Sequence, residues 1–147
     1  MIRIETKDYD IEEVRQSFLC EFAKMILCGM AAPRTAENVE QAMEVLADEL
    51  EMTDADSGFI VGNEDPDYDF DAQGCAFSVA SEVFGKNSYT DEFGSDEACM
   101  TYVAEQLLGQ YPDIEIEAQI FLDTEWSNTV EIIRTVDGRV ETEIEER

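Results

Sequence analysis

The stretch IEIEAQIFL, residues 114–122, alternates apolar and polar residues along its whole length. Successive side chains of a strand point to opposite faces of a sheet, so this pattern predicts a strand with one buried face. The other face carries Glu115 and Glu117 and is expected to be acidic. An antiparallel sheet with one solvated face is typical of such alternation.

A hairpin is predicted downstream of this strand. Asp137-Gly138 is a two-residue turn of the kind that requires positive φ, and it places Arg134 opposite Glu141 and Ile133 opposite Thr142. Further strands are expected over residues 1–6 and 58–62. Residues 70–84 fit a strand or a helix, and we assign them to a strand.

Three helices are predicted from apolar residues that recur at intervals of three and four. They span residues 9–30, residues 35–52 after the cap Thr35, and residues 95–108 after the cap Ser95. The predicted fold class is therefore α+β. Residues 1–147 are expected to form a single acidic domain, with about three helices packed on a mostly antiparallel sheet that ends in a C-terminal β-hairpin.

The charge of the chain is its most unusual property. The formal net charge is −27 over 147 residues, and between Arg34 and Arg134 the only basic residue is Lys86. Self-repulsion at this charge opposes compaction. Solubility or adaptation to salt is the plain explanation, although the Ile and Phe content and the four cysteines resemble an ordinary mesophilic core. A continuous negative surface that binds a partner is the alternative that we pursue.

Three rows of carboxylates are predicted on the surface. The row on the second helix, at spacings of three or four, is Glu37, Glu40, Glu44, Asp48 and Glu51. A second row combines Glu115, Glu117 and Asp123 with Glu141, Glu143 and Glu145 of the hairpin. The third lies in GNEDPDYDFDAQG, residues 62–74, and comprises Glu64, Asp65, Asp67, Asp69 and Asp71. In an extended chain its alternate carboxylates lie about 6.6 Å apart, which is similar to the interval between phosphates of a nucleic acid strand. A solvated face is the alternative for each row.

Metal binding is the first rival interpretation of residues 62–74. An EF-hand loop that starts at Asp69 has Asp71 at position three and Gly74 at position six, but Ala80 stands where a bidentate glutamate is required. The chain has no histidine and no C-x-x-C pair. We therefore expect no specific metal site and no cofactor, and weak Ca²⁺ or Mg²⁺ binding by clustered carboxylates remains an alternative.

The sequence also argues against catalysis and against several kinds of partner. Without histidine there is no Ser-His-Asp or Cys-His system, and no glycine-rich phosphate loop is present, so we expect no enzymatic activity. The acidic surface repels nucleic acid and anionic lipid. No secretory signal is visible, and the longest apolar run, residues 25–32, is too short to span a bilayer. A cytoplasmic protein with reduced, buried cysteines is expected.

In size, acidity and predicted α+β fold, the chain resembles the small DNA-mimic inhibitors of phages and mobile elements, including anti-CRISPR and anti-restriction proteins. The resemblance rests on composition and not on a motif. It implies stoichiometric, non-catalytic inhibition of a host defence nuclease, such as a CRISPR effector or restriction enzyme, by occupation of its DNA-binding cleft in the host cytoplasm. The candidate contacts are the three acidic rows, with Tyr68, Phe70 and Trp126 as aromatic anchors. A core position is the alternative for each aromatic residue and is the favoured one for Phe70.

A second function is compatible with the same residues. An acidic adaptor or regulatory module would bind a basic protein or peptide and would not compete with nucleic acid. The two functions differ in one respect, because nucleic acid must displace a mimic from its partner and need not displace an adaptor. The sequence leaves the identity of the partner and the oligomeric state open.

Overall fold

The computed structural model describes residues 1–62, 70–85, 95–122 and 129–146. Within these ranges the chain forms four helices and six strands. In chain order the elements are β1 (Ile2–Glu5), α1 (Ile11–Gly29), α2 (Ala36–Glu49), β2 (Met52–Ala55), β3 (Gly58–Val61), α3 (Ala72–Phe84), α4 (Asp96–Gln110), β4 (Glu115–Phe121), β5 (Thr129–Val136) and β6 (Arg139–Glu146).

The strands form one sheet in the order β2-β3-β1-β4-β5-β6, and every neighbouring pair is antiparallel. The N-terminal strand β1 therefore lies inside the sheet, between β3 and β4. The predicted strand over residues 114–122 is confirmed as β4, with Ile116, Ala118 and Ile120 buried. The α+β class with a mostly antiparallel sheet is likewise confirmed.

The C-terminal hairpin has the predicted register. Arg134 pairs with Glu141 and Ile133 pairs with Thr142. Asp137 has φ 51° and Gly138 has φ 78°, so both turn residues adopt the left-handed conformation that a two-residue hairpin turn requires. The turn chemistry thus determines the pairing of β5 with β6.

The helices cover one face of the sheet. Helix α4 packs on β4, β5 and β6, whereas α1 packs on β3, and α2 and α3 lie mainly against the other helices. Phe18 of α1 contacts Phe59 of β3 edge-to-face at 6.0 Å between ring centroids, and Phe22 contacts Phe70 at 5.1 Å. Aromatic pairs of this kind bury large areas. The first pair connects the helical layer to the sheet, and the second connects α1 to the segment that leads into α3. The opposite face of the sheet carries the polar residues of β4.

The predicted helix caps are confirmed in two cases. Thr35 accepts a hydrogen bond from the amide of Asn38, and Ser95 accepts one from the amide of Ala98. Helix α2 ends at Glu49, earlier than predicted, because the chain turns there into the short strand β2.

The assignment of residues 70–84 to a strand is wrong, because this segment forms α3. The side chain of Asp71 caps its first turn by accepting from the amide of Gly74, and Gly85 ends it in the left-handed conformation at φ 64°. The buried residues follow helical spacing: Ala72, Cys75, Ala76, Val79 and Ala80. The described chain therefore has one helix more than the three predicted.

The four cysteines are free thiols. Cys75 and Cys99 are buried as predicted, Cys20 is half-buried, and Cys28 is exposed. The expectation that all four are buried is wrong for Cys28, which lies in the last turn of α1 with its side chain exposed.

Candidate partner-binding surface

Helix α2 carries a line of carboxylates on its outer side. We call this line the α2 acidic row: Glu37, Glu40, Glu44 and Asp48. At 100° per residue these positions fall within a sector of about 80°, and all four side chains are exposed. Val39, Ala42 and Leu46 point to the opposite side and are buried. The apolar stripe therefore fixes the helix so that the row faces solvent.

Few groups neutralise this row. From residue 36 to residue 62 the sequence contains eight carboxylates and no Lys or Arg. Among the described residues, the ion pairs involve none of the four row members. Glu37 accepts a hydrogen bond from the neutral side chain of Gln41, with 3.4 Å between Nε2 and Oε1. The charge of the row is therefore not offset by ion pairs within the described chain, although like charges at i,i+4 cost about 0.2–0.5 kcal/mol per pair.

The acidic surface continues past the end of the helix. Glu51 is exposed at the start of the connection to β2, and Asp54 is exposed within β2. Arg15 lies next to this surface, forming ion pairs with both Glu12 and Asp54. Its guanidinium carbon also lies 5.6 Å from the centroid of the Phe59 ring. This arginine is therefore held by α1 and by the edge of the sheet, and its ion-pair partners are Glu12 and Asp54 and not members of the row.

The open face of the sheet differs in charge from α2. Glu115 lies there as predicted, but Lys7 Nζ is 2.7 Å from its Oε1. This hydrogen bond lowers the pKa of Glu115 and raises the pKa of Lys7. The carboxylate is therefore paired with a cation of the same molecule.

Glu117 has a similar environment, because its strand neighbours are basic. It pairs with Arg3 of β1 on one side and with Arg134 of β5 on the other, and Arg134 pairs in turn with Glu141 of β6. Along this one row of the open face, the charge therefore alternates in sign from strand to strand. A shallow depression of about 250 Å³ lies among these side chains and is also lined by Glu5. Within the described chain, the buried Nε of Arg134 has no acceptor.

Most of the third predicted row lies outside the described residues. This applies to Glu64, Asp65, Asp67 and Asp69, and equally to Asp123 of the second row and to the predicted anchors Tyr68 and Trp126. Asp71 is described and exposed, and its carboxylate caps α3. Glu115 and Glu117 of the second predicted row have basic neighbours, whereas in the described structure none of the four members of the α2 acidic row is in an ion pair.

The basic neighbours of Glu115 and Glu117 were missed by the sequence analysis. They depend on the pairing of β1 with β4, two segments that lie far apart in the chain. The Arg134–Glu141 pairing, by contrast, could be predicted from the Asp-Gly turn. A local signal was thus available for one of these pairings and not for the others.

In residues 1–62, 70–85, 95–122 and 129–146, no group of three or more Cys, Asp or Glu side chains is placed to hold a metal ion. None of the helices in those ranges is long and apolar enough to cross a bilayer.

Comparison with known proteins gives no match for this chain among protein-family models, curated protein sequences or solved structures. The α2 acidic row combines full exposure, regular spacing and a lack of nearby cations, and we take it as the candidate partner-binding surface.

Proposed function

We propose that this protein is a non-catalytic inhibitor that mimics the negative charge of nucleic acid and blocks the DNA-binding cleft of a host defence nuclease, such as a CRISPR effector. The observation that carries the proposal is the α2 acidic row, whose carboxylates are exposed and free of ion pairs within the described chain. The basic partner would be held at this surface.

The charge density of the row supports mimicry. Its members are three or four residues apart, which corresponds to roughly 4.5–6 Å along the helix axis. A single DNA strand presents one phosphate per 3.4 Å of axis. A cleft lined with Lys and Arg to bind phosphates would therefore meet a comparable line of charge on α2. Binding of either ligand releases counterions, which makes both sensitive to salt.

The rigidity of the row also supports this function. Its backbone is a regular helix that the Thr35 cap and the buried side chains of Val39 and Leu46 hold against the other helices. A preformed array of charges loses little conformational entropy when it binds. Electrostatic attraction of this kind mainly accelerates association and selects basic partners. Uncompensated repulsion along α2 would then be a cost in stability that partner binding offsets.

The test compares two variants of equal net charge. The row variant carries Glu37→Gln, Glu40→Gln, Glu44→Gln and Asp48→Asn. The control variant neutralises four exposed carboxylates elsewhere, through Asp8→Asn, Asp56→Asn, Glu82→Gln and Glu105→Gln. Each tagged protein is used to capture partners from nuclease-treated bacterial lysate at low and at raised salt. A captured nucleic-acid-binding protein is then purified and bound to labelled duplex DNA.

We expect the wild type and the control to displace the DNA from the captured protein, and the row variant to displace it at least tenfold less well. Displacement should weaken as salt rises. Equal activity of the row variant and the control would refute the assignment to α2. A captured partner that binds the protein and DNA together would refute mimicry and identify an acidic adaptor instead.

A further inference from the structure

The outer edge of β6 offers a second surface. This strand comprises eight residues, Arg139–Glu146, and it is the last strand of the sheet in the described chain. A strand at the edge of a sheet has one row of backbone N–H and C=O groups without strand partners. Such an edge can accept another extended segment by main-chain hydrogen bonding.

The direction of the backbone groups of β6 follows from a contact on the other side of the hairpin. The amide of Leu122 donates to the carbonyl of Thr129 at 3.0 Å, so the carbonyl of Thr129 points towards β4 and away from β6. The direction of the backbone N–H and C=O groups alternates along a strand. The β5 residues whose backbone groups point towards β6 are therefore Val130, Ile132, Arg134 and Val136. These four pair with Glu145, Glu143, Glu141 and Arg139.

The remaining β6 residues therefore direct their backbone groups outwards. They are Val140, Thr142, Ile144 and Glu146. Their side chains lie on the helix-facing side of the sheet, where Val140 packs on the core and Ile144 is 66% exposed. The free edge thus combines outward amides with an apolar side chain that is largely uncovered.

The other face of β6 carries negative charge. Glu141, Glu143 and Glu145 alternate along it, and Arg139 lies 2.8 Å from Glu141 through Nη2 and Oε1. Glu143 and Glu145 form no ion pair among the described residues. A second copy of the same strand would bring like charges side by side, which is destabilising on a sheet. The edge therefore disfavours self-pairing and favours a basic strand.

We propose that the outer edge of β6 binds an extended segment of a partner protein by antiparallel strand addition, with Lys or Arg at every second position of that segment and apolar residues between them. The basic side chains contact Glu143 and Glu145, and the apolar ones contact Ile144. The inference rests on the proposed function in one respect, namely that the partner protein is basic.

The probe is a fluorescent, end-blocked peptide of four Lys-Val repeats. In antiparallel pairing, its valines lie opposite Thr142 and Ile144 and exchange backbone hydrogen bonds with them, whereas its lysine amides point to solvent. Two isomeric peptides are prepared, with N-methyl groups either on two valine amides or on two lysine amides. Both peptides have the same charge and composition, so an interaction that depends on charge alone would give them the same affinity.

We expect the valine-methylated peptide to bind wild-type protein at least tenfold more weakly than the lysine-methylated isomer. Equal affinity of the two isomers would overturn strand addition. On the protein, Ile144→Pro removes one outward amide while leaving the bonds to β5, since proline is tolerated at an edge where its nitrogen faces solvent. Ile144→Pro should lower the affinity for the unmethylated peptide about tenfold. Ile144→Thr, which keeps the backbone amide, should lower that affinity less.

The two proposals can fail separately. The peptide experiment needs no nucleic-acid-binding partner, and the α2 row variant should retain the difference between the isomers. Displacement of DNA can therefore be absent while strand addition is present. Conversely, equal binding of the isomers leaves the proposal for α2 intact. If Ile144→Pro does not fold, the isomer comparison on the wild-type protein still decides the inference.

Discussion

Gly58 of β3 and Ile4 of β1 approach so closely that a Cβ atom built on Gly58 would lie 1.9 Å from the carbonyl oxygen of Ile4. The obstacle is the backbone of the neighbouring strand and not the end of a flexible side chain. We expect Gly58→Ala to separate β3 from β1 and to lower the free energy of unfolding by roughly 1–3 kcal/mol. Urea denaturation monitored by circular dichroism measures this change.

Gly109 provides a matched control for the same substitution. It lies on the exposed side of α4, and a Cβ atom there would have no neighbour within 4 Å. Gly109→Ala should stabilise the protein by about 0.5 kcal/mol, because alanine favours helix. A Gly58→Ala protein as stable as the wild type would show that β3 can shift without loss.

Glu131 should make the protein less stable at neutral pH than at acid pH. It lies opposite Ile120 on the helix-facing side of β5. Burial, followed by the nearby charge of Glu97, raises its pKa, and a hydrogen bond with Thr142 opposes this shift. The folded state thus favours the protonated acid. The stability that this preference contributes is present below the unfolded pKa and is lost as the pH rises through the folded pKa.

Glu131→Gln removes this dependence. We expect the variant to gain stability relative to the wild type as the pH rises from about 4, near the unfolded pKa of glutamate, to 7. Glu105→Gln, at an exposed position of α4, controls for the general relief of repulsion in a protein of net charge −27. The measurement is the free energy of unfolding against pH. The same pH profile for both variants would contradict a specific role for Glu131.

The cysteines should react in the order of their exposure. Burial raises the pKa of Cys75 to about 12 and also raises that of Cys99, so neither forms thiolate readily. Cys28 is exposed. Under native conditions we expect iodoacetamide to modify Cys28 first, Cys20 more slowly, and the other two only after unfolding. Intact mass spectrometry counts the additions, and Cys28→Ser should abolish the fastest one. Rapid native modification at Cys99 would show that α4 opens.

The parts of the fold that could be predicted from sequence are those with a local signal. The Asp137-Gly138 turn determines the register of β5 with β6, and Thr35 and Ser95 mark the starts of two helices. Residues 70–84 also have local signals, the cap Asp71 and the terminal Gly85, but the strand assignment did not use them. Alanine favours helix whereas glycine and β-branched residues such as Val79 do not, and the packing of α3 against α2 stabilises the helix.

The candidate site could likewise be predicted where a local pattern determines it. The α2 acidic row follows from helical spacing alone, because a helix that buries Val39 and Leu46 must expose the carboxylates opposite. The charge balance of the sheet could not be predicted. Arg3 and Lys7 precede α1 in the chain, and only the insertion of β1 beside β4 brings them to Glu117 and Glu115.

A lysine within the α2 acidic row should separate stability from function. Glu40→Lys places a cation between Glu37 and Glu44, so two repulsive contacts at i−3 and i+4 become attractive. At about 0.2–0.5 kcal/mol per contact of either sign, we expect a stabilisation of roughly 1 kcal/mol at low ionic strength. The gain should diminish in 1 M salt, where the Debye length is about 3 Å. Thermal and urea denaturation measure it.

Glu105→Lys is the control for this last prediction, since it changes the net charge equally at an exposed site with no acidic residue one turn away. It should stabilise less than Glu40→Lys. If α2 binds a basic cleft, Glu40→Lys should also displace DNA from the partner less well than Glu105→Lys does. A more stable protein that inhibits poorly would mean that repulsion along α2 is retained for binding. A more stable protein with full inhibition would assign the row to solvation alone.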